Sequence, residues 1–340
     1  MKQYNLLRGV SCLLIAILAT GQSRGGSTDP ITIVGSSTVY PFSTLVAEHF
    51  AKSGPFTPPV VRSGSTAAGF RLFCAGAGAG TPDVTTASRP ISEAERTNCA
   101  KNGVQKIAEI RIGYDSLILA STVKAPTFNI TLEQLWRAAA AVVPSNGRLI
   151  PNPYQNWRDI DPMLPLAPIH LIGPAVGHGT RDAFIELVME PSCKAAWAAL
   201  PADSRPEEAA CFEVRKDGRW TDVENAELIL GKLASNPKST AILTYSYLEQ
   251  FRNRIHAATV NGIAPSRATI PPGAYPLSRP LFIYVKEAHL KTTTGLADYA
   301  AEFLSFCAAG AHGYLPDEGL VPLPMSELLD QRAAVARLQR

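Results

Sequence analysis

No apolar run in this 340-residue chain approaches the ~20 residues a membrane-spanning helix needs, so a permanent transmembrane anchor is not expected. The longest candidate, residues 12–19, is less than half that. CxxC and HxxxH spacings are also missing, which leaves no zinc site to read. There is no GxSxG, and the six histidines lie far in sequence from any Ser or Cys nucleophile, so hydrolase chemistry has no positive support. The glycine-rich stretch 75–80 (AGAGAG) lacks the Lys-Ser/Thr ending and the strand-to-helix setting of a nucleotide loop and reads as surface loop. An excess of one charge is absent too. Setting aside Lys2 and Arg8, which precede the N-terminal apolar run, takes the 32 basic residues to 30, against 29 acidic; such balance argues against the basic face of a nucleic-acid protein. There is no repeat, and the 27 prolines and 25 glycines are spread rather than massed in a disordered tract.

What is present begins with an export signal. Lys2 and Arg8 precede the apolar run 12–19 and the small residues that follow it, the pattern of a cleaved secretory leader. It is placed at residues 1–24, and the destination it implies is the periplasm. Cys12 lies inside the apolar run rather than after it, which disfavours a lipoprotein. An exported chain meets an oxidising compartment, so Cys74 with Cys99 and Cys193 with Cys211 are expected as local disulfides. Cys307 is left over in an apolar, helix-period run (295–309) and is expected to be a buried, inert thiol.

The length suits two lobes of ordinary domain size. Short β-branched runs alternate with helix-period segments, the pattern of α/β lobes built on sheets. Strands are predicted at 31–35, 60–63, 84–87 and 110–121, with helices at 40–52, 66–74 and 92–102 between them. A second series follows: helix 132–141, strand 169–172, helices 181–189 and 223–234, and strand 241–244. Segments 110–121 and 280–286 are long enough to cross between lobes. The predicted division is 28–114 with 280–325 for the first lobe, 115–279 for the second, and a C-terminal surface helix over 326–340 with Leu328, Leu329, Val335 and Leu338 on its apolar side. Two crossings make a cleft that closes by hinge bending around a small ligand.

Three segments share one design, in which a strand ends, small hydroxyl and glycine residues follow, and a helix starts. They are Gly35-Ser36-Ser37-Thr38, Ser63-Gly64-Ser65-Thr66, and Gly177-His178-Gly179-Thr180-Arg181 in the second lobe. Such junctions aim backbone N–H groups and the positive end of a helix dipole at one point, a setting that suits an anion. Each taken alone reads first as an ordinary helix cap, and it is the three together, with at least one in each lobe, that point to an anion.

Read in order, Gly35-Ser-Ser-Thr-Val-Tyr-Pro-Phe42, Ser65-Thr-Ala-Ala-Gly-Phe70, Ala87-Ser-Arg-Pro-Ile-Ser92, Gly113-Tyr-Asp115, Gly177-His-Gly-Thr-Arg-Asp-Ala-Phe184 and Gly273-Ala-Tyr-Pro-Leu-Ser-Arg-Pro-Leu-Phe-Ile-Tyr284 resemble the periplasmic phosphate-binding proteins of Pst ABC transporters. The resemblance covers about residues 31–324. It implies an α/β, two-lobed periplasmic-binding-protein type II fold, each lobe a mixed sheet flanked by helices, with inorganic phosphate clamped between the lobes. It also implies a membrane permease as partner, a monomer, no cofactor and no catalysis. Carried over by position, Ser37, Thr38 and Val39 would donate from the first junction, Ser65 from the second, and Gly179 and Thr180 from the second lobe. Ser88 and Arg89 fall where the family places a polar or charged ligand contact.

This chain departs from the family at His178, where many members have Ser, and at Pro174, where some have Arg. Arg89 or Arg181 is the expected replacement cation, since a planar guanidinium suits two phosphate oxygens. Arg181 is equally well read as a helix-surface residue paired with Asp182 or Glu186. His178 fits as a backbone N–H donor, with its ring facing solvent. Asp115 is expected to accept a hydrogen bond from a phosphate proton, which sulfate lacks; the competing reading is a hinge residue paired with Arg89. The alternatives to a phosphate receptor are a receptor for another tetrahedral oxyanion, sulfate or molybdate, and a secreted phosphatase. The latter needs a metal cluster or an activated nucleophile that the sequence does not offer.

Overall fold

The computed structural model describes residues 29–201, 211–224, 226–271 and 273–340; the expected leader at 1–24 lies outside them. The first lobe is laid down as strand β1 (Thr32–Ser36), helix α1 (Tyr40–Ser53), β2 (Val60–Gly64), α2 (Thr66–Phe73), β3 (Val84–Ala87) and α3 (Glu93–Lys101). Strand β4 (Ile107–Thr122) then carries the chain into the second lobe. There follow β5 (Asn129–Ile130), α4 (Leu132–Ala139), the hairpin β6 (Val142–Ser145) and β7 (Arg148–Pro151), α5 (Trp157–Ile160), β8 (Leu171–Pro174) and α6 (Gly179–Phe184). Strands β9 (Trp220–Val223), β10 (Thr240–Thr244), β11 (Ile255–Ala257) and β12 (Thr259–Val260) complete that lobe, and β13 (Ser278–Lys286) returns to the first.

Local chemistry accounts for the helix ends. Ser92 and Glu95 form a reciprocal capping box at the start of α3, as Thr131 and Gln134 do for α4, satisfying backbone donors that otherwise have no partner. In α1, Pro41 pre-sets the first turn, and Phe42, Val46 and Phe50 recur on one buried face. Each such side chain contributes about 1.5–3 kcal/mol on full burial.

Nine strands form one sheet in the order β2-β1-β3-β13-β4-β10-β8-β9, with β11 also paired to β4. In the first lobe β1 runs parallel to both β2 and β3; in the second, β8 runs parallel to both β9 and β10. Between them β4 and β13 lie antiparallel over nearly the whole of β13. From Ile112 onward every residue of β4 is buried, as expected of a strand covered on both faces. The β1–α1, β2–α2, β3–α3 and β8–α6 junctions all follow the carboxyl ends of parallel strands. Open α/β sheets bind ligands at that edge.

Both expected disulfides are present, Cys74–Cys99 and Cys193–Cys211. The first ties α2 to α3 over a small core of Phe70, Phe73, Phe282 and Tyr284. Cys307 departs from expectation. The helical run breaks at Ser305 into Leu296–Glu302 and Phe306–Ala309, which turns Cys307 to the exposed side, and no described cysteine is a free thiol. Two further differences matter below. Residues 220–223, expected to include the start of a helix, are strand β9, and the helix begins only at Ala226. The helix expected at 181–189 is α6 followed by a π turn, Ile185–Met189. The C-terminal helix, Met325–Ala336, buries Leu328 and Val335 but leaves Leu329 half-exposed. It is docked onto β4 by Glu327, which receives Tyr114 Oη at 3.1 Å and the Arg111 guanidinium.

Candidate functional site

A cleft of about 490 Å³ opens between the lobes, lined by Ser37, Thr38, Asp115, Gly179, Thr180 and Thr244 among others. It is of the size usual for small-molecule sites. The lobes touch at its floor. Ser37 Oγ donates to Asp182 Oδ2 at 2.5 Å, and Thr38 Oγ1 to the Gly179 carbonyl at 3.5 Å. Gly179 favours this close approach, because a Cβ at that position would stand 3.0 Å from the Ser37 carbonyl oxygen and 3.2 Å from Thr38 Cα and would push the lobes slightly apart. Gly35 is needed behind it. Its φ of +137° disfavours other residues, and a Cβ would strike the Thr86 carbonyl oxygen at 2.2 Å.

Behind Thr38 and Asp115, buried beneath the cleft lining, lies the cation Arg279 on the returning strand β13, its side chain only 6% exposed. Its Nη2 donates to Thr38 Oγ1 at 2.7 Å and lies 3.4 Å from Asp115 Oδ2, while its Nη1 donates to Glu186 Oε2. Its Nε is buried and finds no acceptor among the described residues. Asp115 stands opposite Arg279 in the β4–β13 register. The β3–α3 junction joins the same network: Ser88 Oγ donates to Glu186 Oε2 at 3.2 Å and lies 3.1 Å from Thr66 Oγ1. Thr38, Ser88, Asp115, Glu186 and Arg279 are thus gathered from both lobes and both crossing strands.

Other expected residues are placed differently. Arg89 forms a two-point ion pair with Glu95 at 2.8 Å; that hydrogen bond raises its pKa above the ordinary arginine value. Arg181 is buried on the far side of its helix. It donates to the Pro174 carbonyl at 3.2 Å and to Asp222 at 2.9 Å and lies 4.8 Å over the Trp220 ring. Burial lowers its pKa. Neither Asp182 nor Glu186 is its hydrogen-bond partner, and neither Arg89 nor Arg181 lines the cleft. Ser65 Oγ accepts the Ala68 N–H at 3.1 Å as a helix cap, and Ser63, not Ser65, lines the cleft. Several expected backbone donors are engaged by the chain itself: Ser37 N–H with Gly64 O, Val39 N–H with Ser36 O, and His178 N–H with Ala175 O. The exposed His178 ring caps α6, its Nδ1 accepting from Thr180 N–H at 3.2 Å.

Sequence reasoning missed Arg279 and Glu186 as site residues. The available signal was an arginine immediately before the apolar run of the returning strand (SRPLFIYVK), since a charge on a buried strand requires partners. Among the described residues no group of His, Cys, Asp or Glu is arranged to hold a metal ion, and no helix is long and apolar enough to cross a membrane.

A sequence profile described as "PBP superfamily domain" matches residues 20–310. The chain belongs to the PBP superfamily. Within it, the chain is 27% identical over 94% of its length to Protein SphX of Synechococcus elongatus, covering 86% of that protein. It is 25% identical to the phosphate-binding protein PstS of Staphylococcus saprophyticus, over 98% of this chain and 94% of the relative. Among solved structures, a possible phosphate-binding protein from Planctomyces limnophilus superposes with a TM-score of 0.71 at 25% identity, covering 92% of this chain and 99% of that one. The two-lobed PBP fold and the family resemblance read from the motifs are borne out.

Proposed function

We propose that the protein is an exported receptor that holds inorganic phosphate between its lobes and delivers it to an ABC-type uptake permease. The observation that carries this reading is the buried Arg279 guanidinium, with an unused Nε and in contact with the cleft residues Thr38 and Asp115, just beneath the inter-lobe cleft. A planar guanidinium offers two parallel donors to two oxygens of a tetrahedral anion, and charge-assisted hydrogen bonds of this kind are worth roughly 1.5–3 kcal/mol each. Relatives named as phosphate-binding proteins at 25–27% identity support the same ligand.

Asp115, at the cleft wall, supplies selectivity. Phosphate keeps at least one proton near neutral pH and donates it to the carboxylate; sulfate meets only repulsion. With the lobes divided at 114/115 and 279/280, the register pair Asp115–Arg279 stands beside both crossings, and closure would move the lobes about the residues that hold the ligand. The receptor acts in the periplasm as a monomer and has no catalytic role.

A thermal-shift screen of phosphate, arsenate, sulfate and molybdate, run beside a phosphomonoester turnover assay, tests this reading. Stabilisation by phosphate and arsenate without turnover supports it. Selective stabilisation by sulfate or molybdate points to another oxyanion, and turnover points to a phosphatase.

A further inference from the structure

Glu186 belongs to the second lobe, on the π turn that follows α6, yet its carboxylate is bound by groups of the first lobe and of a crossing strand. Its Oε2 accepts from Ser88 Oγ at 3.2 Å and from Arg279 Nη1. A π turn inserts one residue into the helical repeat and re-aims the side chains around it, and such turns recur at functional sites. The Glu186 side chain is 41% exposed, whereas Arg279 is 6% exposed. The carboxylate therefore reaches in from the solvent side and covers a buried cation. The open cleft runs as far as Thr38 and Asp115, and its lining does not include Ser88, Glu186 or Arg279.

This placement bears on the phosphate reading, on which the following rests. Ser88 Oγ has a single proton and cannot donate it to the Glu186 carboxylate and to a phosphate oxygen at once, and two anions drawn to the same side of Arg279 repel one another. We infer that Glu186 is an intramolecular competitor: its carboxylate holds the anion seat formed by Arg279 and Ser88, and phosphate binds by displacing it. Half-exposed, Glu186 returns to water without being stranded in the interior. A ligand whose seat is free only a fraction of the time binds with its affinity reduced by that fraction. Glu186 thereby sets the working affinity below what the donor set alone would give, which eases release to the next carrier.

The test is calorimetric titration of phosphate into the wild-type protein and into Glu186→Gln, with Glu186→Ala as a second variant and melting curves to establish that each is folded. The inference predicts phosphate binding at least tenfold tighter in both variants, and a larger phosphate-induced rise in Tm for the variants than for the wild type. Unchanged or weaker binding in folded variants overturns it while leaving the phosphate reading intact, because a ligand role or a purely structural role predicts that result. Absence of phosphate binding in the wild type and in both variants overturns both.

Discussion

Arg279 and Asp115 face each other across the two strands that join the lobes, with Nη2 and Oδ2 3.4 Å apart. The cation and the acid therefore belong to neither lobe's outer wall but to the crossing strands themselves. Their positions are fixed by the sheet ladder while the junctions at Thr38 and Gly179 close over them. A buried pair of this kind, in contact with Thr38 and Glu186, is costly to break from one side because the remaining charge is left uncompensated.

Replacing Arg279 separates charge from geometry. Arg279→Met is expected to weaken phosphate binding by at least about a hundredfold, the loss of two charge-assisted hydrogen bonds, while Arg279→Lys retains the charge without the fork and recovers only part of the affinity. Equilibrium dialysis with labelled phosphate on variants shown to be folded by circular dichroism reads this directly. Near-wild-type affinity in Arg279→Met removes Arg279 from the site.

Closure depends on the absence of a side chain at Gly179. Gly179→Val places atoms against Ser37 and Thr38, where even a Cβ would sit at 3.0–3.2 Å. The lobes are held apart, and phosphate affinity is expected to fall about tenfold or more with little change in the unfolding midpoint of the unliganded protein. Small-angle scattering in saturating phosphate should show a larger radius of gyration than the wild type does.

Much of the fold was legible because local chemistry fixed it. The helix expected at 92–102 is α3, its start fixed locally by the Ser92–Glu95 capping box, and the apolar run at 110–121 marks the core of the crossing strand β4. The errors share a physical cause, dependence on partners distant in sequence. Trp220–Val223 is only four residues long and does not read as a strand, the expected helix beginning at Val223; without strand β9, Asp222 could not be seen as the partner that draws Arg181 away from the cleft, 41 residues from it. Arg279 finds Thr38 and Asp115 at separations of 241 and 164 residues, a meeting that no local pattern encodes. Thr38, Gly179 and Thr180, which line the cleft, stand out because strand-to-helix junctions carry their own signature of small and hydroxyl residues; Asp115 stands out by its place in the family-like motif Gly113-Tyr-Asp115.

The two disulfides should contribute comparably. Cys74–Cys99 and Cys193–Cys211 span 25 and 18 residues, for which loop-closure entropy gives about 3 kcal/mol each. Paired Cys→Ser replacement at either bridge is expected to lower unfolding free energy by about 2–4 kcal/mol in denaturant titrations. A change below 1 kcal/mol shows that the bridge is not formed in the native protein.

Lys286 gives the fold a pH signature far from the cleft. Its Nζ donates to the Gly76 carbonyl and Thr81 Oγ1, both at 2.7 Å, and burial lowers its pKa from 10.5 to about 8. Between those values the unfolded chain binds more protons than the folded one, so this group's contribution to stability rises with pH across that window and is flat below it. Relative to Lys286→Met, the wild type is expected to gain about 3 kcal/mol between pH 8 and pH 10.5. Parallel pH-dependence of the two proteins' melting temperatures contradicts this.

The central claim is that a donor-rich seat between the lobes, with Asp115 at its wall, selects a protonated tetrahedral anion. Calorimetric titration of the wild-type protein with phosphate and with sulfate at neutral pH tests it most directly. The account predicts one phosphate per chain with micromolar or tighter affinity and sulfate at least a hundredfold weaker. Equal affinity for the two anions, or no heat with phosphate, contradicts it.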